Sequence, residues 1–389
     1  MHRQKKLPIL ALLALTVSGF IAIITEVLPA GLLPQISTSL GVSESYAGQF
    51  ITMYALGSVL AAIPVISLTK NWNRKPLLLI SIFGFFLFNL TTFFLNHYFL
   101  LLVVRFLAGV SAGIIWGLLT GYTVRMVSPE MSGRALAIVG IGQPIALSLG
   151  VPLATWLGNV IGWNTVFLII SILSLFLIFW IIAIVPDFSV KEKGKSSSLK
   201  SVISNTKVQR ILLITLCWIL AHNLLYTYIS SFLKVSNLSE YTNWILFLFG
   251  MCSIIGIFIT GRFIDGGLRK MVIINLIIFC ASGIILLIGE KYNIIAYLGI
   301  ALWGFSFGGA PTLLQKSLAD VAKQQIDLAQ SIFVTVFNIA VAGGGILGGF
   351  LLEYYSISFL LIFFIVLAMV SFLVVISEIK LIKCQKTKI

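Results

Sequence analysis

Long apolar runs, separated by short polar turns rich in Lys and Arg, account for most of the chain. Twelve such runs lie at about 7–35, 46–69, 76–96, 98–124, 134–159, 163–186, 209–233, 241–264, 271–289, 293–315, 328–352 and 356–378. A helix needs roughly 20 mostly apolar residues to cross about 30 Å of hydrocarbon. Inside lipid, helices satisfy their own backbone polar groups. The pattern therefore predicts an all-α membrane protein of twelve transmembrane helices. The first run follows MHRQKK, a start that suits a signal peptide. It is too long for one, and no small-residue cleavage site follows, so a retained first span is expected.

The polar turns set an expected orientation. With both termini in the cytoplasm, that side collects Arg3, Lys5, Lys6, Lys70, Arg74, Lys75, Arg125, Arg134, the Lys191–Arg210 segment, Arg262, Arg269, Lys270, Lys316, Lys323 and the tail from Lys380 to Lys388. Of the 26 basic residues, Lys234 and Lys291 fall on the other side and Arg105 falls within a run. This is the positive-inside asymmetry of a multi-pass protein of the cell (inner or plasma) membrane with an even number of crossings. Composition agrees: 59% of residues are hydrophobic and 10% charged, where a soluble domain carries about 25% charged residues. The net charge of +14 is thus topological, and no folded basic surface for nucleic acid is expected.

The longest polar connection, Pro186 to Arg210, is rich in Lys and Ser and divides six runs from six. It reads as a solvated tether. The expected organisation is an N-terminal six-helix half at 1–187, a cytoplasmic linker at 188–208, and a C-terminal half at 209–389 with a short basic tail. The halves repeat in register. Arg74-Lys75 recurs as Arg269-Lys270, Gly109-Val-Ser-Ala-Gly113 as Gly304-Phe-Ser-Phe-Gly308, and Gly150 as Gly345, always 195 residues apart. Parallel repeats of this kind are a transporter architecture.

The first run carries a single carboxylic acid, Glu26. An ionisable group in lipid costs about 2.5–3.5 kcal/mol even on gentle insertion scales, so such groups usually face a bundle interior or a watery cavity and work there. A proton carrier is the sharp reading; a buried acid paired with Thr25 or a backbone group is the bland one. The repeat offset carries Glu26 to Ala221, beside His222, the side-chain type that titrates near neutrality. A histidine in a bundle can also simply donate a hydrogen bond. Arg105 opens the fourth run, either as part of a proton relay or as a chain that snorkels to the headgroups. Asn223, Tyr226 and Tyr228 follow His222 and are candidates to line a cavity, although Tyr is also an ordinary interface residue.

Several readings are weak. Gly-Val-Ser111-Ala-Gly and Gly-Phe-Ser306-Phe-Gly match a nucleophile-elbow pattern, which would leave an intramembrane serine protease with His222 as base. That elbow requires a strand-to-helix turn, whereas both copies lie in helical runs and recur as packing residues would. No G-x-x-x-x-G-K-[ST] exists, so P-loop nucleotide hydrolysis in this chain powers nothing, and energy must come from a gradient or not at all. The four cysteines form no CxxC, and neither a metal site nor a cofactor is implied. Asn237-Leu-Ser239 is a glycosylation sequon on an expected outer loop.

Gly261-Arg-Phe-Ile-Asp265-Gly-Gly-Leu-Arg269-Lys270 fits a G-x-x-x-D-x-x-x-R-[RK] loop at every defined position, whereas the first copy retains Arg74-Lys75 and has Ile66 and Lys70 in place of the glycine and aspartate. With twelve runs in two repeats, this loop resembles that of the major facilitator superfamily. Thr25-Glu-Val-Leu-Pro-Ala-Gly-Leu-Leu-Pro34, Arg105-Phe-Leu-Ala-Gly109, and Gly150-Val-Pro152 with Gly162-Trp163 are similar to the bacterial proton-coupled drug, sugar and purine efflux branch. The His222–Tyr228 segment is similar to that of purine-base and nucleoside effluxers. The resemblance implies alternating access, with Glu26, Arg105 and His222 in proton coupling. Trp116, Gln143, Asn223, Tyr226, Trp303 and Asn338 would line the substrate cavity, and the two loops would govern conformational change. The expected function is export of a small organic solute against protons by a monomer in the lipid bilayer, without enzymatic chemistry. Proton-coupled uptake and a non-transporting sensor are the alternatives.

Overall fold

The apolar runs are helical in the computed structural model, which describes residues 7–69, 72–128, 131–187, 202–322 and 326–386. The helices are α1 (Ile9–Leu40), α2 (Glu44–Leu68), α3 (Arg74–Phe94), α4 (Tyr98–Met126), α5 (Ser132–Gly140), α6 (Gly142–Ile145), α7 (Val151–Ile161), α8 (Trp163–Ile184), α9 (Thr206–Thr227), α10 (Ile229–Val235), α11 (Thr242–Gly289), α12 (Asn293–Gly308), α13 (Ala310–Ala322), α14 (Ile326–Tyr354) and α15 (Ile357–Lys386). Among the described residues no strand occurs, and eleven segments are long and apolar enough to cross a membrane. The second run is helical over the 25 residues of α2, although some of its side chains lie outside the described set. The chain divides into two compact units, Met1–Lys195 and Ser196–Ile389. Residues 188–201 of the expected linker, Arg3, Lys5, Lys6, Lys70 and Lys323, and the side chains of Ile66, Arg134 and Asp265 and of the tail from Lys380, also lie outside the described set.

The run boundaries need correction at several places, each with a local cause. α1 continues through Pro29 and Pro34 to Leu40 and ends at Gly41, whose φ of 63° is left-handed. Run five is broken into α5, α6, a π-helical turn at Ala146–Gly150, and α7. Pro152 has no N–H to donate to the Ser148 carbonyl, so the regular ladder fails there. Runs seven and ten also break, at Tyr228 and Gly309. Runs eight and nine remain two spans, Ser239–Ile264 and Gly267–Gly289: the segment labelled α11 is kinked within the expected loop Gly261–Lys270, at Gly267, where φ is −159° and ψ 34°.

The repeat seen in sequence is a repeat of packing. In the first unit, a Cβ on Gly109 would collide with the Tyr54 backbone, and one on Gly113 with that of Ser58, so α2 and α4 touch backbone to backbone. In the second, Gly304 meets Phe249 and Gly308 meets Ser253 in the same way, each partner 195 residues on. Small residues four apart permit this approach.

Candidate functional site

In the first unit, a proline creates the site. An α-helical carbonyl accepts from the N–H four residues later, but residue 29 is proline, so the Thr25 carbonyl lacks its helical donor. A guanidinium Nη2 of Arg105, from α4, fills that place. Arg105 is 0% exposed, which rules out snorkelling; its guanidinium carbon lies 5.3 Å from the Tyr54 ring centre and 5.2 Å from that of Phe167. The Tyr54 hydroxyl donates to the Ala22 carbonyl at 2.7 Å, one turn before Glu26. Asn89 Nδ2 donates to the Thr25 hydroxyl at 3.3 Å and to the Phe85 carbonyl at 2.9 Å.

Glu26 sits among these groups, 7% exposed, with the Arg105 charge acting on it. Its carboxyl has no hydrogen bond or ion pair among the described residues. Thr25, the local partner considered from sequence, instead serves Asn89 and Arg105. Buried Arg105 Nε and Nη1 and Asn89 Oδ1 also have no partner among the described residues. The cluster therefore holds one carboxyl free to bind or release a proton, beside a fixed cation with unused donors.

In the second unit, His222 lies in an aromatic cage. Its Nδ1 accepts the Trp303 indole N–H at 3.2 Å. The Phe307 ring stacks on it, with centroids 3.4 Å apart and planes 3° apart. Tyr226 and Phe249 stack at 5.2 and 5.9 Å, and Trp303 lies at 5.3 Å. A proton can be added at Nδ1 only by breaking the Trp303 bond, because an imidazolium nitrogen accepts nothing. The buried Tyr226 hydroxyl has no partner among the described residues.

The remaining candidates are dispersed. Trp116 is half-buried near Gly19 of α1, and Gln143 is half-buried on α6. Asn223 and Asn338 are buried and donate to the Ile219 and Val334 carbonyls at 2.9 Å. Tyr228 is fully buried and donates to the Gly345 carbonyl at 2.8 Å. Arg74 is buried, with Nη1 3.4 Å from the Thr69 carbonyl, and Lys75 Nζ donates to the Ile182 carbonyl. Gly261, Arg269 and Lys270 lie on α11, the segment that also carries Phe249 of the cage. Ser111 and Ser306 bond to the Leu107 and Trp303 carbonyls of their own helices, as packing residues do. Sequence reasoning did not single out Tyr54, Asn89, Phe249 or Phe307. The available signal was that Tyr54 and Phe249 occupy matching repeat positions against Gly109 and Gly304.

A family model described as Major Facilitator Superfamily matches residues 15–322 and 238–381. A probable sugar efflux transporter of Pasteurella multocida (strain Pm70) is 25% identical over 345 residues, covering 88% of this chain and 85% of that protein. One of Helicobacter acinonychis (strain Sheeba) is 25% identical over 359 residues, 92% of each. Among solved structures, the nucleoside transporter NupG, determined as a point mutant, aligns with a TM-score of 0.74 at 13% identity over 94% of this chain and 99% of its own. A bacterial homologue of the human lysosomal transporter Spinster, inward-facing and unoccupied, aligns with a TM-score of 0.72 at 13% identity over 97% and 98%.

Proposed function

Because the chain belongs to the major facilitator superfamily, and is thus a multi-pass membrane transporter and not an enzyme, we propose that it exports a small organic solute in exchange for protons. The observation that carries this reading is Glu26, a buried carboxyl without a hydrogen-bonding partner among the described residues, beside the seated cation Arg105. Such a group binds a proton in one conformation and yields it in another, and a ligand shifts a conformational equilibrium only through its differential affinity for the two states. In this reading the deprotonated carrier takes solute from the cytoplasm, and an external proton on Glu26 drives its release. The empty protonated carrier then returns by alternating access. The protein works as a monomer in the cell membrane with both termini in the cytoplasm.

The relatives named as sugar effluxers favour a sugar as solute, ahead of a purine, nucleoside or drug-like molecule. The His222 cage supports solute contact rather than a second proton site, since His222 Nδ1 is already committed to Trp303. Its flat aromatic faces suit an uncharged ring-bearing solute.

A thermal-shift panel of sugars, nucleosides, purines and hydrophobic cations on the purified protein identifies the binder, which stabilises the fold by mass action. Uptake of that solute into inverted vesicles then tests coupling. Glu26→Gln should abolish stimulation by a pH gradient while solute-for-solute exchange persists. Transport by this variant that still depends fully on the gradient would remove Glu26 from the mechanism, and a gradient effect of opposite sign would favour proton-coupled uptake.

A further inference from the structure

The turn after α2 lacks the aspartate that its repeat partner has: position 70 is Lys where position 265 is Asp. An acid nonetheless reaches the start of α3 from elsewhere in the first unit. Asp187, three residues beyond the end of α8, accepts the Lys75 backbone N–H on Oδ1 at 3.1 Å and the Asn73 Nδ2 on Oδ2 at 2.8 Å. Asn73 is the N-cap residue of α3 but makes no capping bond of its own, so the Asp187 carboxylate does that work. Carboxylates are favoured there because the first N–H groups of a helix lack internal partners and its dipole is positive at that end.

The arrangement is reciprocal. The Lys75 ammonium donates at 2.8 Å to the Ile182 carbonyl in the last turn of α8, where helical carbonyls lack donors. The Tyr122 hydroxyl of α4 donates at 2.6 Å to the Pro186 carbonyl, beside the acid. The repeat offset carries Asp187 to Ile382. Each repeat thus has one acid at these two positions, in the turn for the second half and after the sixth helix for the first.

We propose that Asp187 is a positioning residue that takes the place of the missing acid at position 70, capping α3 and binding the ends of α3, α4 and α8 so that they move as one body. The contacts stand independently of the solute and of proton coupling.

Hydrogen exchange on the full chain in nanodiscs, read on the peptide covering residues 72–78, tests this. Asp187→Ala should speed exchange there by about ten-fold or more, because the Lys75 N–H loses its acceptor and local opening becomes easier. Exchange in α7 should be unchanged. Asp187→Asn, which keeps one acceptor, should fall between. Lys70→Asp introduced into Asp187→Ala should bring exchange back to within about two-fold of the unaltered chain. Unchanged exchange in Asp187→Ala would overturn the capping role. Faster exchange that Lys70→Asp does not correct would overturn the substitution of one acid for the other. Where Asp187→Ala does not fold, Asn73→Ala removes one bond only, and exchange at 72–78 equal to the unaltered chain would overturn the arrangement.

Discussion

Pro29 and Arg105 are one device at the residue scale, since the proline frees the carbonyl that the guanidinium occupies. A lysine at 105 would keep the charge but lose the planar fork and its stacking on Tyr54 and Phe167. Arg105→Lys should therefore fold but lose about 1–3 kcal/mol, seen as a lower thermal unfolding midpoint, with weakened gradient-driven transport. An unaltered midpoint would mean that the two rings contribute nothing. Glu26 was readable from sequence because a charge in an apolar run is costly wherever it faces. Arg105 was readable as a candidate but not as a buried one, because long basic chains near a run's end can reach water. Asn89 was not readable at all, and Tyr54 only through its repeat match to Phe249. Neutral polar types are common in membrane helices, and only the tertiary fold brings them beside Thr25 and Ala22.

At the scale of elements, close backbone contact holds α2 to α4, and the glycines divide into those that permit it and those that do not. A methyl on Gly109 would meet the Tyr54 backbone, whereas one on Gly121, in the same helix, would meet nothing within 4 Å. Gly109→Ala should force the helices apart and cost about 1–3 kcal/mol. Gly121→Ala should be neutral or stabilise by up to about 1 kcal/mol through helix propensity. Unfolding of both purified variants decides it, and equal midpoints would contradict the packing. Run positions were readable because hydrocarbon thickness dictates length. Ends and breaks were not. The loop between runs eight and nine shrinks to a kink at Gly267, and α1 continues past the expected end near residue 35 to Leu40. Hydropathy reports what lipid requires of a segment, whereas helix continuity depends on which neighbour meets a freed carbonyl.

Over the whole molecule, the two repeats keep their packing but not their chemistry. Arg105 corresponds to Ile300, Tyr54 to Phe249 and Glu26 to Ala221, while His222, Trp303 and Phe307 correspond to Val27, Ala108 and Ala112. The buried charges of the described site thus belong to the first unit and the aromatic cage to the second. The sequence offset exposed the duplication, but this division emerged only when side chains were seen to converge. If it reflects separate tasks, single changes should separate coupling from recognition. Trp303→Phe preserves the ring but withdraws the N–H from His222 Nδ1; an unpaired buried acceptor costs about 1–3 kcal/mol. It should raise the half-saturation concentration of transported solute about ten-fold, the effect of about 1.4 kcal/mol, while leaving dependence on the pH gradient intact. Glu26→Gln should do the reverse, keeping half-saturation within about two-fold and losing the gradient dependence. Because the two side chains share no bonding partner, the double variant should show the sum of the two effects in free energy. A Trp303→Phe protein that loses its gradient dependence would place the proton path through the aromatic cage as well, and restore His222 as a proton site.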